Sequence, residues 1–227
     1  MPSNIAIIAA LPREIAALVR GTKADAELLR RGVHLYRLKG GGIVVTAGMG
    51  AERATIAVKG ALAQGEVGML ISAGLAGGCV PGVLAGSMME ASVVVDARTG
   101  ERFVSALAGD VTLATTAVIA SVGEKARLRA TYAASLVDME AATVARLAGA
   151  EGLPFRAIKG VSDAHDFELS SLARFAGRRG SFRTGAFALH TAVRPWTWGK
   201  AVALGRGSAK ALVALEAALR GVLAGDS

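Results

Sequence analysis

The sequence predicts an α/β fold: a single domain over residues 1–227, with a central mixed β-sheet flanked by helices. Three observations predict it. Short apolar runs of strand length alternate with helix-length segments along the whole chain. The composition is 52% hydrophobic but only 4% aromatic, with 29 glycines, which suits close packing of helices on a sheet. No linker, repeat or low-complexity tail interrupts the 227 residues, a length that supports one sizeable core.

The elements follow in order. "NIAIIAA" (4–10) reads as a buried strand, and "LPREIAALVR" (11–20) as a helix with Pro12 in its first turn. "VHLYRLKGGGIVVTAG" (33–48) reads as two strands joined by a glycine turn. "MGAERATIAVKGALAQG" (49–65) is a helix with Gly65 placed to cap its end. "VGMLISAG" (67–74) is a buried strand that opens into the glycine-rich "GLAGGCVPG". "SMMEASVVVDA" and "DVTLATTAVIA" are strand candidates on either side of a short excursion. A basic helix, "GEKARLRATY", leads to the helix-like run "SLVDMEAATVARLAG", and "LPFRAIKGVSD" is a further strand. Residues 164–198 are less regular and hold Arg174, Arg178, Arg179 and Arg183 close together. From Gly199 to Ala224 the pattern is a long amphipathic helix, with Leu212, Leu215, Leu219 and Val222 on one stripe and Glu216 spaced to pair with Arg220.

Several classes of protein are excluded or disfavoured. The net charge of +8 favours anionic partners or surfaces without naming one. The single cysteine, Cys79, permits no internal disulfide framework and suits a reducing compartment. The apolar start lacks a basic flank and is interrupted by Pro12, Arg13 and Glu14, so no signal peptide is expected. No apolar run reaches the length of a membrane span. A cytoplasmic protein is the expectation. The arginine cluster at 174–183 has no interleaved aromatic residues, which points to a solvated face or flap and away from nucleic acid.

Three carboxylates stand out. Glu14 follows the first strand, Asp163 ends the strand "FRAIKGVSD", and Glu140 heads an almost wholly apolar helix. Ligands of open α/β sheets collect at the C-terminal edges of strands, where two of these acids fall. Each also has a plain structural reading: Glu14 as a first-turn acid, Asp163 as a cap or turn residue, Glu140 as a helix-start acid with Asp138 as N-cap. A buried carboxylate without a partner is costly, so the acids in this run need a partner or a task. The glycines of "GMGAER" (Gly48, Gly50) and those at Gly74, Gly77 and Gly78 suit either tight turns or backbone approach to a ligand. Arg53 stands where a dinucleotide fingerprint needs a third glycine, and only Lys39 and glycine stand near Leu38, which argues against NAD. His34, His165 and His190 are scattered, so no metal site is expected; His165 beside Asp166 reads as a polar loop after a strand. There is no Gly-x-Ser-x-Gly elbow and no Walker loop.

Taken together, "IAIIAALPREI", "AGMGAERA", "SAGLAGG", "VDMEAATVA" and "KGVSD" resemble, in order and spacing, the nucleoside phosphorylase and methylthioadenosine/S-adenosylhomocysteine nucleosidase superfamily. The stretch "SVGEKARLRATYAASLVDMEAA" and the Arg–Pro–Trp segment are similar to its hopanoid-associated phosphorylase subgroup. The resemblance implies cleavage of the N-glycosidic bond of a purine nucleoside, without a cofactor. It implies Asp163 as proton donor to the purine, Glu14 as the base for the attacking water, and Glu140 with Met139 at the ribose. Gly74, Ser162 and the backbone at Val118 are the further substrate contacts it implies. It also implies a homodimer or higher homo-oligomer, with water or phosphate as co-substrate. Glu14 favours water, while Arg13 and Arg53 leave phosphorolysis open, and a noncatalytic nucleoside-binding protein would share the fold. Four positions depart from the nucleosidase pattern: Leu75 replaces a small hydroxyl residue, Ala117 and Val118 replace the adenine-holding pair, and Lys159 replaces an arginine. The opening at Ala117, beside "RPWTW", would suit a bulky apolar 5′ substituent such as a hopanoid-linked one.

Overall fold

The computed structural model describes residues 4–65, 67–169 and 198–225. Ten strands form one mixed sheet: β1 (Ile5–Ala9), β2 (His34–Arg37), β3 (Ile43–Thr46), β4 (Met69–Gly78), β5 (Met88–Ala91), β6 (Val93–Asp96), β7 (Arg102–Val104), β8 (Thr112–Thr115), β9 (Leu136–Asp138) and β10 (Phe155–Asp163). Among the described residues six helices accompany it: α1 (Pro12–Ile15), α2 (Ala26–Arg30), α3 (Ala51–Leu62), α4 (Val122–Tyr132), α5 (Ala141–Ala150) and α6 (Trp198–Ala224). The expected mixed sheet flanked by helices is the architecture observed.

The strand path runs β2-β3-β1-β4-β9-β8-β6-β7, and β10 lies against β4 with β5 beyond it. Strand β4 is the hub. Its first half pairs in parallel with β1, its last two residues pair antiparallel with β9, and β10 runs parallel along most of its length. The C-terminal ends of β1, β4 and β10 therefore converge. Strand β1 is buried on both faces, which explains its unbroken apolar run: Ala6 and Ile8 join a core with α3 and α5, while Ile5, Ile7 and Ala9 join one with α6.

Helix α6 closes the second face. Leu215 and Leu219 are fully buried, as the apolar stripe predicts, and Arg220 pairs with Glu216 at 2.8 Å. Its backbone approaches β10 very closely. A Cβ on Gly207 would lie 2.7 Å from the Ser162 carbonyl oxygen, and one on Gly160 would lie 2.8 Å from that of Ala211. Glycine at both positions lets the helix sit directly on the strand that ends in Asp163.

Several boundaries differ from the sequence reading. The helix expected over 11–20 stops at Ile15, because the following turns mix Val19 N–H to Ile15 with Arg20 N–H to Ala17, so no continuous ladder forms. Helix α3 ends at Leu62, before Gly65. The glycine-rich segment after "LISA" is not a loop but the second half of β4, held straight by its pairing with β10. The excursion before β8 contains a short edge strand, β7, which carries no clear alternation and escaped detection. "SLVDMEAATVARLAG" is not one helix: its first part is β9, paired with β8, and Glu140 is the N-cap residue of α5. Residues 174–183, the Arg–Pro–Trp segment and His190 lie outside the described residues.

Candidate active site

A cavity of about 460 Å³ lies where β1, β4, β9 and β10 end, with α6 along one side. Glu14, Val118, Met139, Glu140, Ser162 and Asp163 all line it. Residues separated by up to 149 positions in sequence are thus brought to one place. Among the expected contacts, Gly74 does not line the cavity but lies behind it. It has a φ of 136°, and a Cβ there would come within 3.1 Å of both Glu14 carboxylate oxygens, so glycine makes room for that side chain.

Glu14 reaches back over the end of β1. Its Oε2 accepts the N–H groups of Ala10 (3.0 Å) and Leu11 (2.8 Å), and Oε1 accepts that of Leu75 at 3.1 Å. Three backbone donors, two just after β1 and one within β4, fix the carboxylate at the cavity wall. Pro12 at the head of α1 bends the chain so that the side chain can return to these donors.

The two acids of "VDME" have separate roles in the architecture. Asp138 is buried and saturated: Oδ2 lies 2.8 Å from Lys159 Nζ and accepts the Ala141 N–H, while Oδ1 accepts the Thr115 hydroxyl. It anchors the start of α5. Glu140 instead faces the cavity, and its Oε1 accepts the Gly50 N–H at 2.7 Å. Burial pushes the Glu140 carboxyl up to about 8, and the Asp138 charge adds to this, while Lys159 and the Gly50 N–H oppose it. The "GMGAER" turn thus contributes a backbone donor to a carboxylate.

Asp163 ends β10 and is only 2% exposed. Its Oδ1 accepts the Ser162 hydroxyl, and Lys125 Nζ lies 2.5 Å from Oδ2. Lys125 is the main residue that the sequence reading missed. It sits on α4, read simply as a basic helix, yet it is 1% exposed and lines the cavity. Helical spacing carried the signal: Lys125 and Leu128 are one turn apart and are the two buried residues of α4.

Other candidates fall away from the site. His165 and Asp166 do not line the cavity, and no cluster of metal-ligating residues occurs among the described residues. The Cys79 thiol is pushed up to about 12 by burial and so stays protonated. Val118 lines the cavity while its carbonyl accepts the Thr116 hydroxyl at 2.8 Å. Ala117 is exposed and lies outside the lining. The Arg53 Nε donates to the Ala47 carbonyl at 2.5 Å, and this side chain does not line the cavity, whereas Arg13 does.

Residues 108–181 match the family described as the phosphorylase superfamily. The chain as a whole shares its fold with solved nucleosidase structures. It superposes on the 5′-methylthioadenosine nucleosidase of Arabidopsis thaliana with a TM-score of 0.73 at 19% identity, covering 99% of this chain and 96% of the other. The 5′-methylthioadenosine/S-adenosylhomocysteine nucleosidase of Helicobacter pylori, in a complex with butyl-thio-DADMe-Immucillin-A, gives 0.70 at 14% identity over 99% of both chains. The futalosine hydrolase of Helicobacter pylori gives 0.63 at 17% identity, covering 85% of this chain and 98% of that one. No curated protein sequence matches the chain. No helix among the described residues is long and apolar enough to cross a membrane.

Proposed function

We propose that this protein hydrolyses the N-glycosidic bond of a purine nucleoside of the adenine type. The observation that carries the reading is the convergence of Glu14, Glu140 and Asp163 on one cavity of about 460 Å³, a volume typical of small-molecule sites. Cleavage places oxocarbenium character on the ribose and negative charge on the purine. Glu14 would take a proton from the attacking water, Glu140 would bind the ribose hydroxyls above Met139, and Asp163 would pass a proton to the base. Structural neighbours named as nucleosidases and a hydrolase support the same bond as the target.

The surroundings of Glu14 favour water over phosphate. The N–H groups of Ala10, Leu11 and Leu75, which would otherwise suit an anion, already bind the Glu14 carboxylate. A phosphate entering there would meet a negative charge instead of free donors. Arg53 is tied to the Ala47 carbonyl and turned from the cavity. Arg13 lines the cavity and is the feature that favours phosphorolysis as the second reading.

The substrate's 5′ end is read from the apolar wall. Leu11, Met49, Leu75, Leu204 and Leu212 line the cavity and suit an apolar 5′ substituent, of which a hopanoid-linked adenosine is the most extended case. The protein is taken to act as a homodimer or higher homo-oligomer, for which exposed Leu84 and Val104 offer apolar surface. Product analysis on a panel of adenine nucleosides, with and without phosphate, tests the reading. Release of base in phosphate-free buffer is expected. Turnover that requires phosphate would replace hydrolysis by phosphorolysis, and binding without base release would leave a nucleoside-binding protein.

A further inference from the structure

Lys125 has no part in the reaction as described so far, yet it is the cation nearest the proposed proton donor. Its Nζ sits 2.5 Å from Asp163 Oδ2 and also donates to the carbonyls of Ala164 (2.8 Å) and Phe167 (3.2 Å). Three acceptors surround three ammonium hydrogens, so the site is built for the charged form of the lysine. Asp163 accepts from Lys125 on Oδ2, while Oδ1 pairs with the Ser162 hydroxyl, whose one hydrogen also has the Ala76 carbonyl at 3.1 Å as an acceptor. The ammonium is therefore a proton-bearing group in direct contact with the Asp163 carboxyl. A Cβ on Gly77 would lie 3.1 Å from Asp163 Oδ2 and 3.2 Å from Lys125 Cε, so a bare backbone lets the lysine cross β4 to reach its partner.

We infer that Lys125 is the source of the proton that reaches the departing base, acting through Asp163. The inference rests on the glycosidic-bond reading above. As the C1′–N9 bond breaks, its electron pair moves into the purine. A proton passes from Lys125 Nζ to Asp163, and Asp163 delivers one to the purine nitrogen. Lys125 ends neutral, Asp163 returns to the anion, and the base leaves as a neutral molecule. On the other side, water bonds to C1′ and its proton passes to Glu14. Solvent then restores both groups, with Glu14 losing one proton and Lys125 gaining one. Lys125 is therefore a positioning and proton-supplying residue that does not itself touch the substrate. The groups facing it are Asp163 from β10 and the Cys79 thiol from the segment after β4; on its own helix Glu124 is paired with Arg127. His165 and Asp166, on the loop whose carbonyls it binds, are half-exposed and exposed.

The test compares an adenine nucleoside with 4-nitrophenyl β-D-riboside, whose phenolate leaves without protonation. Lys125→Met is expected to lower kcat on the nucleoside by about 100-fold or more and on the nitrophenyl riboside by less than about 5-fold. Equal losses on both substrates, with wild-type cleaving both, would overturn the inference alone. Failure of wild-type to cleave either would overturn the glycosidic reading and the inference together. Lys125→Arg keeps the charge and donors but does not release a proton in the working pH range, so it is expected to remain impaired on the nucleoside. Recovery in that variant would make Lys125 merely structural.

Discussion

Lys159 Nζ lies 2.8 Å from Asp138 Oδ2, and neither side chain is more than 1% exposed. The same ammonium donates to Ser72 on β4 at 2.9 Å, so one cation ties together three strands that carry the candidate site. Breaking such a pair from one side leaves a buried, uncompensated charge. Lys159→Met is expected to destabilise the protein by about 3–5 kcal/mol, read by denaturant unfolding. A loss below about 1 kcal/mol would show that Asp138 is satisfied by Thr115 and the Ala141 N–H without the lysine.

Glu140 provides a pH-dependent signature. Its carboxyl is raised from 4.5 to about 8 by burial, so the folded protein holds a proton there that the unfolded chain has released. Its contribution to stability is then fully present below about 4.5 and is lost as pH rises through about 8. Glu140→Gln cannot ionise and should flatten that part of the stability curve. Thermal unfolding of both proteins across this window checks the sign, and identical curves would show that the group titrates normally.

Glu14→Gln keeps the size of the side chain but turns one acceptor into a donor that faces backbone N–H groups. Steady-state assay of base release is expected to show a fall in kcat of about 10²–10⁴-fold. A variant with wild-type kcat would remove Glu14 as the base for water.

Gly207 marks the close contact between α6 and β10. Gly207→Ala would press a methyl group to within 2.7 Å of the Ser162 carbonyl, which is backbone and cannot swing aside. The expected cost is about 1–3 kcal/mol, with lower turnover because Ser162 and Asp163 move with the strand. Gly199→Ala is the control, since a Cβ there meets nothing within 4 Å and Gly199 does not line the cavity.

Thr46 offers the opposite case. Its hydroxyl is buried without a hydrogen-bond partner among the described residues. Thr46→Val replaces that group by a methyl of similar shape, and denaturant unfolding is expected to show a gain of up to about 1 kcal/mol. A clear loss would reveal a partner for the hydroxyl.

The sequence by itself determined the fold class, most strands and the three carboxylates around the cavity. Strand β1 and the stripe of α6 were legible because burial on a strand or helix face leaves a period in the local pattern. Glu14, Glu140 and Asp163 were legible because each stands beside a strand end or in an apolar run, where an acid is out of place. Only the tertiary structure decided what each acid touches. Asp138 and Glu140 are two residues apart, yet one is saturated by Lys159 and Thr115 while the other faces the cavity beside Gly50. Neither partner set is local, so no window of sequence contains it. The same holds for Lys125, whose helix looks solvated until Asp163, 38 residues later, is folded against it. Periodicity records which way a side chain points, but the charge that it meets there comes from chain closure.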